Sequence, residues 1–319
     1  HKSGRDWVVG PNPPAGPWLP NVAKADATVL IILPDASTWL MMRHDRYNGF
    51  QSRFFLEADN YNVRSITCFP QKSDRIPYGA QWVGKQKVQE LIHKLGNRYL
   101  GTLFLNIPRE PVNVNSWLEF LLRFDKPVVC ADLKNLFSSK DISHRLLSRC
   151  YINEQIAVDL AVSHLVSFGH KNVGAWYTTQ KKGVSWINKR LDMIKKSSHK
   201  YKVSVQHFEM KNQKKMIVTD DYNTPFKGSF IHMDMAQQIR TNKICTAYLF
   251  PHDYTTFNVY NYLSKLGTSV PDDVSLISFD NHHRIKMLPV TSIDFGFEYL
   301  GYCSFHFLLN IIKLKRKRN

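Results

Sequence analysis

The sequence predicts an α/β fold of two doubly wound parallel-sheet lobes. Two observations carry that prediction. Short β-branched apolar runs recur along the 319 residues, separated by segments with helical apolar spacing. About four such strand–helix units precede residue 150 and about four follow it. Repeated strand–helix–strand order means a parallel sheet covered by helices on both faces.

The elements follow in chain order. Residues 1–27 hold five prolines, Pro11, Pro13, Pro14, Pro17 and Pro20, and three glycines. Proline lacks an amide donor and fixes its own φ, so this stretch predicts a linker or extended arm. No helix-turn-helix pattern fits before residue 28. Buried parallel strands are expected at 28–33, 63–68, 101–105, 127–131, 172–177, 203–208, 245–249 and 274–278. Helical stripes are carried by Val88, Leu91, Ile92 and Leu95, by Ile156, Leu160, Leu165 and Val166, and by Val259, Tyr262, Leu263 and Leu266. Gly169 after Phe168 and Gly267 after Leu266 are expected to stop two of these helices as left-handed caps. In such sheets ligands bind outside the carboxyl ends of the strands, so functional residues are sought there.

Composition narrows the function classes. Apolar residues make up 43%, enough for a sizeable core. The longest apolar runs, Thr28 to Leu33 and the interrupted Phe305 to Leu314, fall short of the roughly 20 residues that span a bilayer. Around Trp7-Val8-Val9 no signal-peptide pattern is visible, and the context reads as cytoplasmic with no membrane partner. The five cysteines, Cys68, Cys130, Cys150, Cys245 and Cys303, are odd in number and widely spaced, which predicts buried free thiols rather than a disulfide framework. The net charge of +17 leaves two readings open: a lysine-rich solvated surface with a basic tail at 313–319, or a contribution to DNA binding.

Several chemistries lack their motif. The chain has no Gly-x-Gly-x-x-Gly, no phosphate loop and no Gly-x-Ser-x-Gly. None of the thirteen histidines shows His-Glu-x-x-His spacing, and the adjacent His282 and His283 would point opposite ways in an extended segment. No metal, cofactor or catalytic residue is therefore assigned, and the chain is read as a non-enzyme.

Three stretches of the second half carry a family resemblance. The first runs from Asn153-Glu154 through Ala157-Val158-Asp159-Leu160 to Phe168-Gly169-His170. The second is Thr246-Ala247-Tyr248-Leu249-Phe250-Pro251-His252-Asp253, continuing to Leu266-Gly267. The third is Val270-Pro271-Asp272-Asp273-Val274-Ser275-Leu276-Ile277-Ser278-Phe279-Asp280, followed by Pro289-Val290-Thr291-Ser292-Ile293. In order and spacing these resemble the regulatory domain of the lactose-repressor/galactose-repressor family. The likeness covers about residues 28–312 and is stronger after residue 150.

The resemblance implies a type I periplasmic-binding-protein-like fold, with two lobes, a three-segment hinge and a ligand between the lobes. The expected division is a linker or remnant of a DNA-binding module at 1–27, and an N-terminal lobe at 28–150 completed by about 294–312. A C-terminal lobe at 151–293 and the basic tail complete it. The implied function is effector sensing in a bacterial DNA-binding transcription regulator, a homodimer whose effector is a small polar molecule such as a monosaccharide. DNA would be reached through a module this chain does not carry. Lys2 to Gly10 faintly resemble the wing end of a gluconate-repressor-type winged helix. A periplasmic or extracellular sugar-binding protein of the same fold is the alternative.

The resemblance also implies site residues. Arg190 falls where the family clamps its ligand, and a guanidinium fork suits paired hydroxyls or a carboxylate. Asp280 falls at a carboxylate that accepts from sugar hydroxyls. His252 stands where the family usually has asparagine, with Asp253 expected to cap the following helix. Asn106 and Asp132 end strands of the first lobe near the ligand. Phe226, Phe297 and Trp39 are candidates to pack a ring against a sugar face.

Overall fold

A computed structural model describes residues 27–33, 45–69, 81–82, 84–105, 114–133, 144–179, 185–210 and 230–309. Trp39, Asn106 and Phe226 lie outside the described residues, as do the proline-rich stretch before residue 27 and the basic tail. The described residues divide into two compact units, one built from Asn153–Phe295 and one from those between 27 and 152 together with those from 296 to 309. Of the expected three-segment hinge, two passages fall among described residues, at Ile152–Asn153 and Phe295–Gly296.

The unit that contains the first strand holds a six-stranded sheet of order β3-β2-β1-β4-β5-β6. Its strands are β1 (Ala27–Ile32), β2 (Val63–Phe69), β3 (Gln81–Trp82), β4 (Tyr99–Leu105), β5 (Val128–Asp132) and β6 (Leu147–Tyr151), and every pair is parallel. Among the described residues four helices cover it: α1 (Asp45–Asn60), α2 (Lys85–Leu95), α3 (Val114–Leu122) and α8 (Phe297–Leu308). Strand side chains alternate between faces. Leu30 and Ile32 of β1 pack with Val88 and Ile92 of α2 and Leu118 and Leu121 of α3. On the other face α1 and α8 lie together, close enough that a Cβ on Gly301 would overlap the Phe50 carbonyl.

The other unit holds a five-stranded parallel sheet of order β11-β10-β9-β7-β8. Its strands are β7 (Asn172–Tyr177), β8 (Ser204–Glu209), β9 (Ala247–Leu249), β10 (Ser275–Phe279) and β11 (Thr291–Ile293). Its helices are α4 (Glu154–Ser167), α5 (Ser185–Tyr201), α6 (Phe230–Thr241) and α7 (Asp253–Lys265). Trp176, Tyr248 and Leu276 form the sheet side of a core closed by Met235 and Ile239 of α6 and by Val259 and Leu263 of α7. The expected α/β class with two doubly wound parallel sheets is what the chain adopts.

All eight expected strands form, but β8, expected to be buried, is an edge strand with no buried residue; among the described residues three more strands join them, β3, β6 and β11. Each of the three lies at the edge of its sheet. An edge strand is covered on fewer sides and needs no continuous apolar run. β6 reads Leu-Ser-Arg-Cys-Tyr, with only Cys150 buried.

Both glycine stops are as expected. Gly169 has φ +85° and Gly267 φ +74°. The His170 amide reaches back to the Leu165 carbonyl and the Gly169 amide to that of Val166; Thr268 to Leu263 and Gly267 to Ser264 repeat the pattern. These paired bonds close two Schellman caps.

One helical stripe is corrected. Leu160 of α4 is 57% exposed, and the buried face is Ala157, Val158, Ala161, Val162 and Leu165. The alanines let α4 lie close to its neighbours, so the face turns toward small residues. The five cysteines are free and buried, as expected. Burial pushes the Cys68 thiol up to about 11 and the Cys150 thiol up to about 12, so neither is a thiolate at neutral pH.

Candidate effector site

Four strand ends and two helix N-termini of the Asn153–Phe295 unit assemble the candidate site. Thr178 follows β7, the Phe250-Pro251-His252 turn follows β9, Asp280 follows β10 and Phe295 lies beyond β11. This is the carboxyl edge of the sheet, where a doubly wound fold leaves polar loop groups free of ladder bonding.

Arg190 is the charged centre and only 3% exposed. The first turn of α5 is fastened to the end of β7, which fixes its position. The Asn188 side chain accepts from the Thr178 amide at 3.0 Å and donates to the Thr178 carbonyl at 2.8 Å. The Arg190 guanidinium lies 4.6 Å from the Phe279 ring centre and 5.3 Å from those of Trp186 and Phe295. Ring faces attract a cation, and more so once water is removed. One terminal nitrogen donates to the Pro251 carbonyl, and the other pairs with Glu154 Oε2 at 3.1 Å. The Nε is buried with no hydrogen-bond acceptor among the described residues. A buried charge left partly unpaired is costly, which makes this edge receptive to an incoming acceptor.

Asp280 sits beside this cluster at 8% exposure. Its backbone has φ +107°, and Asn281 follows at φ +50°. Such angles cost about 1–3 kcal/mol in a non-glycine residue and persist only where the surroundings impose them. Here the Asp280 amide is held by the Ile293 carbonyl at 3.1 Å and the Asn281 amide by Ser292 Oγ at 3.0 Å.

His252 caps α7. Its Nδ1 accepts from the Thr255 amide at 3.1 Å, and its ring lies 5.4 Å from that of Trp186. Because Nδ1 accepts, a neutral His252 carries its hydrogen on Nε2. This corrects the expectation that Asp253 would be the cap. Asp253 lies one residue inside the helix and is buried at 1% exposure, with its carboxylate facing the sheet. It accepts from the Ser278 hydroxyl, from the Ser292 hydroxyl at 2.7 Å and from the His282 amide at 2.7 Å. Burial pushes its carboxyl up to about 7, and the nearby Asp280 charge adds to the rise, against the lowering by its hydrogen bonds. His282 and His283 are likewise corrected. Their rings do not diverge but lie 4.2 Å apart, because Asn281 turns the chain out of extended geometry.

The remaining expected residues lie elsewhere. Asp132 ends β5 in the other unit, fully buried, with Arg149 donating to Oδ2 at 2.8 Å. Phe297 opens α8 in that same unit and packs edge-on against Tyr47 at 5.2 Å. Arg190, His252 and Asp280 are thus brought to one sheet edge, and Phe297 and Asp132 belong to the other unit.

Glu154, Trp186, Phe279 and Phe295 escaped the sequence reading. Trp186 stands four residues before Arg190 on one helix, a spacing that puts two side chains on the same face. Phe279 and Phe295 flank strand ends. Glu154 carried no signal of its own beyond following the cap residue Asn153. Among the described residues no group of three potential ligands lies close enough to hold a metal ion.

Comparison with known proteins agrees with this architecture. Residues 162–319 match the family model described as a periplasmic binding protein-like domain. The HTH-type transcriptional repressor PurR of Actinobacillus pleuropneumoniae serotype 3 is 29% identical over 159 residues, which are 49% of this chain and 44% of that protein. The chain thus matches under half the length of that relative. A LacI family transcriptional regulator from Bifidobacterium animalis subsp. lactis shares the fold with a TM-score of 0.56 at 15% identity, over 89% of each chain. The LacI family regulator CCPA from Weissella paramesenteroides, solved with bound glucose, has the same score and identity over 89% of this chain and 91% of its own. Residues 162–319 are thus similar to a periplasmic binding protein-like domain, and the solved relatives share the fold over about nine-tenths of the chain.

Proposed function

We propose that the chain is the effector-sensing region of a DNA-binding transcription regulator. Its effector is a small polar molecule held at the carboxyl edge of the β7–β11 sheet. The observation that carries this reading is Arg190: a guanidinium almost fully removed from water, ringed by three aromatic side chains and carrying a buried Nε with no acceptor among the described residues. Asp280 and His252 lie at the same sheet edge, and both are of a type that hydrogen-bonds hydroxyls. Donor and acceptor groups beside apolar ring faces match a monosaccharide, whose hydroxyl edge is polar and whose C–H face is not. The glucose-bound structural relative supports that choice of ligand class.

In this reading the regulator acts as a cytoplasmic homodimer and catalyses no reaction. The effector shifts the regulator only to the extent that it binds the DNA-competent and DNA-incompetent states differently. A thermal-shift screen against sugars, sugar acids and purines tests it. A true effector at 100 times its Kd adds about 2.7 kcal/mol of stability. A screen in which no polyhydroxylated compound raises the melting temperature contradicts the reading.

A further inference from the structure

Arg190 does not stand ready as a bare cation, because Glu154 already occupies one edge of its guanidinium at 3.1 Å. The two partners differ in exposure: the arginine side chain is 4% exposed and that of Glu154 33%. The pair is therefore open to solvent on the carboxylate side. Glu154 is the first residue of α4, directly behind the cap Asn153, whose side chain accepts from the Ile156 amide. At that position the helix dipole favours a negative charge.

The guanidinium charge of Arg190 is thus met inside the protein by the Glu154 carboxylate.

We propose that Glu154 is the specificity-determining residue of this site, an internal carboxylate that occupies Arg190 and makes the site select uncharged polyols over sugar acids and sugar phosphates. The inference rests on the reading of this edge as the effector site. An anionic ligand must either displace Glu154 or approach Arg190 against it, whereas a hydroxyl accepts from the buried Nε without disturbing the ion pair. Like charges at contact distance in a partly desolvated site repel strongly enough to change affinity on the order of tenfold or more.

The test uses the chain as it stands and its Glu154→Gln variant, with Glu154→Asp as the charge-retaining control. Each is titrated with glucose, gluconate and glucose 6-phosphate, and separately with inorganic phosphate, binding being read by calorimetry and thermal shift. Glu154→Gln is expected to raise the affinity ratio of acid to neutral sugar at least tenfold, and Glu154→Asp to keep the ratio of the unaltered chain. An unchanged ratio in Glu154→Gln overturns the proposal. If no sugar binds any of the three proteins, the effector reading of this edge fails, and the phosphate titration judges the role of Glu154. A tenfold gain in phosphate affinity for Glu154→Gln over the unaltered chain supports it, and equal affinities overturn it.

Discussion

Asp253 Oδ2 accepts the backbone amide of His282 at 2.7 Å, tying the N-terminus of α7 to the turn that follows β10. Through Ser278 and Ser292 the same carboxylate also reaches β10 and β11. One buried side chain thus holds three strand-end segments in register beneath Asp280.

That arrangement has a pH signature. Burial raises the Asp253 carboxyl to about 7, so the folded state binds its proton more tightly than the unfolded chain does. The stability this contributes is present below about pH 4, where unfolded aspartate titrates, and is lost as pH rises through about 7. Asp253→Asn is expected to flatten the fall of melting temperature between pH 4 and 7 relative to the unaltered chain. Thermal denaturation of both across that range decides it, and parallel curves refute it.

His232 shows the opposite sign. It is buried, and burial first, with His252 second, lowers its pKa to about 4. The folded state prefers the neutral ring, so this contribution is present above about pH 6.5 and lost as pH falls toward 4. His232→Gln is expected to reduce the acid-side loss of stability in that window. A variant as acid-sensitive as the unaltered chain counts against the assignment.

The cap on α7 yields a third expectation. His252 Nδ1 replaces the usual short polar oxygen in accepting the Thr255 amide. Removing a cap costs about 1 kcal/mol, and asparagine is a preferred residue at this position. His252→Ala is expected to lose about that much in urea denaturation, and His252→Asn to lose less than half of it.

The α1–α8 pair is equally specific. A Cβ at Gly301 overlaps the Phe50 backbone carbonyl, an atom that cannot swing aside like a side-chain tip. Gly301→Ala is expected to destabilise by about 1–3 kcal/mol, the usual range for overpacking. Chemical denaturation of the variant measures it, and an unchanged midpoint contradicts the close approach.

The sequence carried the interior strands because burial on both faces demands apolar runs such as Val29–Ile32 and Val128–Ala131. It carried the glycine caps because φ near +80° at Gly169 and Gly267 suits glycine far better than other residues. Three of the four edge strands were not legible, since a strand such as β6 buries only Cys150. At the site, Arg190, His252 and Asp280 were legible through family resemblance. Their supports were not, because Glu154 and Phe279 reach Arg190 across 36 and 89 residues, and no local spacing encodes such a contact. The exchange of roles between His252 and Asp253 was hidden for a related reason. Either side chain can cap a helix, and the choice is made by Ser278 and Ser292, which draw Asp253 inward.

The central claim is that the edge around Arg190 and Asp280 holds the effector. The direct measurement is calorimetric titration of the best ligand from the sugar screen into the unaltered chain and into Arg190→Ala and Asp280→Ala, each checked for folding by circular dichroism. Losing one partner of a buried charged hydrogen bond costs about 2–5 kcal/mol, so each variant is expected to bind at least thirtyfold more weakly. Binding within threefold of the unaltered chain in both folded variants would place the effector elsewhere and contradict the account.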